Sequence, residues 1–237
     1  MIRLRNRKTL ARQKRSQRYQ IKEWLGRLQD HPAFILGNGS SIKSQPLKLL
    51  EDYFTIGINR AFYLIDPTIL FWQDIGLWNT EHHKLHNLQC IKLCRDISDP
   101  RHIYYNFYLR GGPYKFEGKT HILCGRGSTG PIAVQLAVAL GCKPIVLLGM
   151  DCKICDGKTD FYGNNPHWRP HTATNCVSGL EYLKSNCPVK ILNCSDNDVF
   201  EEKHKLSDVL ATIDRKYAIG RNKHVSKLIH KKSMYQP

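Results

Sequence analysis

What most limits the fold of this chain is a series of short apolar runs that each break into glycine or a polar residue. AFIL (Ala33–Leu36) ends at Gly37-Asn38, FTIGI (Phe54–Ile58) at Asn59-Arg60, and TILFWQD (Thr68–Asp74) in Gln73-Asp74. HILC (His121–Cys124) ends at Gly125-Arg126, PIVLLGM (Pro144–Met150) runs into Gly149-Met150-Asp151, and VKILNC (Val189–Cys194) ends at Ser195-Asp196. Such runs, apolar without alternation, read as strands buried on both faces. CIKLC (Cys90–Cys94) is a further strand. Between them lie helical stretches: a turn and helix with Ser44 as cap and Pro46 in the first turn, then about Pro131 to Leu140, Ala173–Ser185 and Leu206–Tyr217. The alternation predicts an α/β, Rossmann-like fold, a mostly parallel sheet with helices on both faces. Ligands of such sheets sit beyond the carboxyl ends of the strands, so the polar strand ends predict one shared crevice. Ile75 to Lys119 is less regular, and Ile103–Phe116 suggests a hairpin or lid around Gly111-Gly112-Pro113.

A chain of 237 residues, 41% of them apolar, supports one domain with its own core. No apolar run approaches the ~18–20 residues of a membrane span. The best candidate, Ile132 to Met150, is interrupted by Gln135, Gly141, Lys143 and Pro144. The N-terminus is basic and lacks the apolar segment of a secretory signal. Nine cysteines, an odd number with Cys124 and Cys142 inside apolar runs, fit a reduced cytoplasmic protein better than a disulfide scaffold.

The net charge of +16 is concentrated at the ends. Ten Lys/Arg lie between Arg3 and Arg27, and seven more between Arg215 and Lys232. The expected organisation is a basic N-terminal helical extension (1–31), a nucleotide-binding domain (32–218) and a basic C-terminal tail (219–237). Basic ends of this kind are either solvated faces or polyanion contacts, with Tyr19, Trp24 and Tyr217 available to stack on bases.

Two glycine loops stand at strand ends. Gly37-Asn38-Gly39-Ser40-Ser41-Ile42 lacks the third glycine of a dinucleotide fingerprint and, with Ile42, the last glycine of a P-loop. Its glycines and serines still offer backbone and hydroxyl donors to a phosphate or nucleobase. Gly125-Arg126-Gly127-Ser128-Thr129-Gly130 is a complete GxGxxG before a helix, with Asp151 at the end of the next strand. Alone it fits an NAD site; against that, such a fingerprint usually opens its domain, and here at least three strands precede it.

Taken in order, ILGNGSSI, GINRAF, FWQD and GSTGPIAVQLAVALGCKPIVLLGMD resemble the bacterial sialyltransferases of glycosyltransferase family 42. They are equally similar to the family of flagellin-glycosylation-associated (Maf-type) and 6-hydroxymethylpterin pyrophosphokinase-like (MptE-like) proteins, which includes phage homologues. The resemblance spans about Ala33 to Phe200. It implies that Asn38 and the Gly37 and Gly39 backbone face a nucleotide, that Asn59 contacts the sugar nucleotide with Gln73 at the third strand end, and that Ser128, Thr129 and Gly130 bind phosphate or the donor's carboxylate; the loop and strand-end chemistry itself adds Ser40, Arg60 and Asp74 as nucleotide or donor contacts. Asp151 falls at the position near the ribose, and the catalytic base is a histidine before the next helix, His171 or, second, His167. Cys152 and Lys153 stand where the sialyltransferases carry tyrosines. The implied partners are a nucleotide sugar and a carbohydrate acceptor, with no cofactor required.

Other readings of the residues stay open. A pyrophosphokinase-like phosphotransferase would use ATP and Mg²⁺, with Asp74, Asp151 and Asp160 as the available acids. A nucleic-acid-associated module could keep the fold without the chemistry. Cys152 and Cys155 form a CxxC followed by His167, His171 and Cys176, which could make a structural zinc site. Glu81, His82, His83 and His86 read as an exposed helix face.

Overall fold

The computed structural model describes residues 21–95, 104–117, 122–165 and 168–229. Its strands are β1 (Ala33–Leu36), β2 (Thr55–Ile58), β3 (Ile69–Trp72), β4 (Ile91–Cys94), β5 (Tyr104–Asn106), β6 (Tyr108–Arg110), β7 (Ile122–Cys124), β8 (Ile145–Leu148) and β9 (Ile191–Asn193). Its α-helices are α1 (Ile75–Asn87), α2 (Thr129–Ala139), α3 (Pro170–Asn186), α4 (Leu206–Thr212) and α5 (Arg221–Ile229). Seven strands form one sheet in the order β5-β4-β3-β2-β1-β8-β9, each pair parallel. The predicted α/β architecture is the one observed.

The apolar runs form this sheet because successive side chains point to opposite faces and both faces are covered. Ile35, Ile56, Ile69, Ile91 and Leu147 join α2 and the Leu180 and Leu183 side of α3 in one core. Phe34, Leu36, Val146 and Leu148 face the other way, against Ile42, Leu50 and the α4 residues Leu206 and Val209. Leu70 and Trp72 meet Leu77, Trp78 and Leu85 of α1. The first three turns of α2 are buried all round, which fits its almost wholly apolar sequence. Its one long polar residue, Gln135, takes the N–H of Cys124 at 2.9 Å and donates to the Cys124 carbonyl at 2.6 Å. A buried amide is thereby satisfied on both sides and ties α2 to β7.

Several expectations are corrected. The described residues of this segment, 104–116, hold no hairpin: β5 extends the main sheet beside β4, and β6 pairs parallel with β7 in a separate two-stranded sheet. The helix predicted from Ser44 does not form: after a 3-10 turn at Ser40–Ser44 only a second 3-10 turn, Leu47–Leu50, follows. The irregular middle contains α1, and its Glu81 is buried rather than exposed. The helix predicted over Leu206–Tyr217 stops at Thr212, and α5 follows in the basic tail.

Parts of both ends join the main core. Ile21, Trp24 and Leu28 are buried against α2, and Leu228 of α5 belongs to the same cluster. The N–H groups of Gly26, Leu28 and Asp30 bond the carbonyls of Ala139, Leu140 and Gly141, so this segment caps the C-terminus of α2. Residues 1–20 and 230–237, with most of the terminal cations, lie outside the described residues. Among the described residues no helix is long and apolar enough to cross a membrane.

Candidate functional site

The strand order reverses between β1 and β8, because β2 to β5 run out on one side of β1 and β8 and β9 on the other. In open α/β sheets the ligand crevice lies at such a point, outside the carboxyl ends of the strands. A cleft of about 380 Å³ lies there. Of the sequence-predicted residues, Asn38, Gly39, Asn59, Asp74, Ser128, Thr129, Gly130, Asp151 and His171 line it. Gly37, Ser40, Arg60 and Gln73 do not, and His167 lies outside the described residues.

The β1 loop is shaped by its contact with the β8 loop. Gly39 N–H donates to the Gly149 carbonyl at 2.8 Å, and Gly37 N–H to Leu148 at 2.7 Å. A Cβ on Gly37 would overlap the Gly149 carbonyl, and one on Gly39 the Asp151 carboxylate. These glycines let two loops touch; the sequence reading had them admit a ligand. Asp151, only 2% exposed, accepts from Ser41 N–H at 2.9 Å, from the Ser41 hydroxyl and from Asp196 N–H at 3.2 Å. It ties the loops after β1, β8 and β9 together at the cleft floor.

Asn38 donates to the Ile58 carbonyl at 3.2 Å, and its Oδ1 is buried with no partner among the described residues. Asn59 ends β2 in the left-handed region at φ 49°, a conformation asparagine tolerates better than most residues. Gln73 is buried and donates to the Gly127 carbonyl at 3.1 Å and to Thr129 Oγ1 at 3.0 Å. It therefore positions the glycine loop from below. That loop leads into the N-terminus of α2, with Ser128 as its N-cap residue and Ser128, Thr129 and Arg126 in the cleft wall. The unpaired N–H groups and dipole of a helix start favour an anion there.

Arg60 stands outside the cleft lining, in a half-buried network. Its Nε meets Glu81 at 3.0 Å, and two other nitrogens donate to Tyr162 at 3.3 Å and Thr80 at 3.1 Å. Burial opposes ionisation of Glu81, but hydrogen bonds from Tyr63, Arg60 and Lys84 outweigh it and hold the carboxyl below its usual range. Burial first, then the neighbouring Asp160, pushes the Tyr162 phenol up to about 12.

The polar segment after β8 folds back over the cleft. Small bridges join Cys155 to Lys158 and Asp160 to Gly163, and Phe161 N–H donates to the Asn38 carbonyl at 2.7 Å. This brings Lys153, Thr159, Asp160, Asn165 and Trp168 into the wall. Sequence reasoning did not place Thr159, Asn165 or Trp168 there; Phe161, a large apolar residue that is buried within a polar stretch, was the available signal. α3 begins at Pro170, so His171 sits exposed in its first turn and not in the preceding loop. Cys152 and Cys176, both in the cleft wall, form a disulfide with Cα atoms 5.5 Å apart. That pairing replaces the zinc set suggested by the CxxC, while Cys155 and the other described cysteines are free thiols. Among the described residues no three His, Cys, Asp or Glu side chains are grouped to hold a metal.

No protein-family model matches the chain, and no curated protein does. A solved structure of the sialyltransferase CST-II, in complex with trisaccharide acceptor and CMP, is similar at 17% identity and a TM-score of 0.40. That alignment covers 68% of this chain and 80% of the other.

Proposed function

We propose that the chain is a glycosyltransferase acting from a nucleotide-activated sugar, with His171 as general base. The observation that carries this reading is convergence. Residues from the ends of β1, β2, β3 and β8, the N-terminus of α2 and the first turn of α3 line one cleft. The start of α2, with Ser128, Thr129 and Arg126, suits the phosphate of the donor. An imidazole in the wall suits removal of the proton from an acceptor hydroxyl. In the reaction that oxygen attacks the anomeric carbon, the bond from that carbon to the phosphate oxygen breaks, and the nucleotide leaves with the electron pair.

The sialyltransferase-type donor, the carbohydrate acceptor and the Maf-type or MptE-like kinship belong to this proposal. A thermal-shift screen with CMP, UDP, GDP, ATP and NAD, with and without Mg²⁺, tests it. Stabilisation by a pyrimidine nucleotide without Mg²⁺ supports the reading. His171→Ala then abolishes transfer and leaves nucleotide affinity within about threefold. No shift with any nucleotide would sink it. The second reading, a phosphotransferase, is favoured by Asp74 and Asp160 in the same wall. It requires Mg²⁺-dependent turnover of ATP.

A further inference from the structure

Three carboxylates line the cleft: Asp74, Asp151 and Asp160. Asp151 is committed to Ser41 and Asp196, and Asp74 stands exposed ahead of α1. Asp160 differs from both. It is half-buried, and the Thr159 hydroxyl donates to its Oδ2 at 3.1 Å. Its loop is fixed by the bridge to Gly163 and by the bond from Phe161 to the Asn38 carbonyl. Behind it Tyr162 is braced by Arg60, whose guanidinium carbon lies 5.1 Å from the ring centre. Burial raises the Asp160 carboxyl above its usual value, although hydrogen bonds from Thr159, Tyr162 and Asn165 and the charge of Arg60 act the other way.

The cleft is thus polarised. Donors gather at the start of α2, where an anion fits. On the docked loop stands an acceptor, the carboxylate of Asp160, which lines the same cleft. A carboxylate repels phosphate, and accepts from a neutral donor such as a hydroxyl. We propose that Asp160, and not Asp151, is the carboxylate that meets the ligand, accepting a hydrogen bond from a hydroxyl on the ribose of the bound nucleotide. This rests on the nucleotide reading above and adds to it the group that reads the sugar.

Calorimetry with CMP, 2′-deoxy-CMP and 3′-deoxy-CMP tests it on the intact chain and on Asp160→Asn. The intact chain is expected to prefer CMP over at least one deoxy form by about 10-fold or more, the scale of a charge-assisted hydrogen bond. Asp160→Asn removes that preference while binding the deoxy form as before, which shows the cleft intact. A preference that survives Asp160→Asn overturns the proposal, as does an intact chain that binds all three forms equally; both leave nucleotide binding standing. An intact chain that binds none of the three overturns this proposal together with the nucleotide reading.

Discussion

Replacing Asp151 by alanine removes three acceptor contacts at once and leaves the Ser41 and Asp196 N–H groups unpaired. Hydrogen bonds to a charged group contribute about 1.5–3 kcal/mol each and are not additive. Asp151→Ala should therefore lower unfolding free energy by about 3 kcal/mol, read as a lower urea midpoint at unchanged slope. Gly39→Ala drives a methyl into the same carboxylate and should cost about 1–3 kcal/mol. A Gly39→Ala chain as stable as the original would show that the loops can part freely. The polar strand-end residues were legible from sequence because chain order alone puts them at one edge of a parallel sheet. Their division of labour was not. Ser41 and Asp151 are 110 residues apart, and no local pattern records that one carboxylate holds three loops.

At the scale of elements, α3 is fastened unevenly. Its buried residues, Gly179, Leu180 and Leu183, all lie beyond the turns that carry His171. The earlier turns are held by the Cys152–Cys176 disulfide and by Tyr114, whose hydroxyl donates to the Asn175 carbonyl at 2.9 Å. Reduction should therefore speed amide hydrogen exchange in residues 170–176 by at least about tenfold while Leu180 and Leu183 stay protected. Cys176→Ser should lower stability by about 3 kcal/mol on the chain-entropy account, given a separation of 24 residues. Equal exchange in the oxidised and reduced chain would contradict this. The disulfide was hidden in a sequence whose cysteine count argued for free thiols, and seven of them are free. The sequence marked a helix at Glu81 to His86 only as an exposed face; its buried stripe of Leu77, Trp78 and Leu85 was obscured because Glu81, with Gly76, Asn79 and Thr80, dilutes it. The polar residue inside that stripe is explained by its distant partners, Arg60 from the end of β2 and the Tyr63 hydroxyl, with Lys84 one turn on.

At the scale of the molecule, residues 21–30 and α5 close the face opposite the cleft's loops through groups whose pairing depends on pH. His224 is fully buried, with its Nε2 3.3 Å from the Asp52 carbonyl and its ring 5.7 Å from that of His31. Burial first, with His31 and Lys227 adding to it, pushes its pKa from 6.5 down to about 4. The unfolded chain therefore takes up the proton more readily. The stabilisation is complete above about pH 6.5 and is lost as pH falls from there towards 4, by up to about 3 kcal/mol. His31 is shifted in the same direction, chiefly by burial. Denaturation series from pH 7 to 4 should show this decline, and His224→Gln should flatten it. An unchanged slope would place the loss elsewhere.

The central claim is that the crevice between β1 and β8 binds a nucleotide. Its most direct test is amide chemical-shift mapping of the labelled chain during titration with CMP. The account predicts saturable shifts centred on Asn38 and Gly39, Asn59, residues 126–130, residues 149–153, Asp160 and His171. Saturable shifts centred on the opposite face of the sheet, or none at millimolar CMP and none with UDP, GDP or ATP, would contradict it.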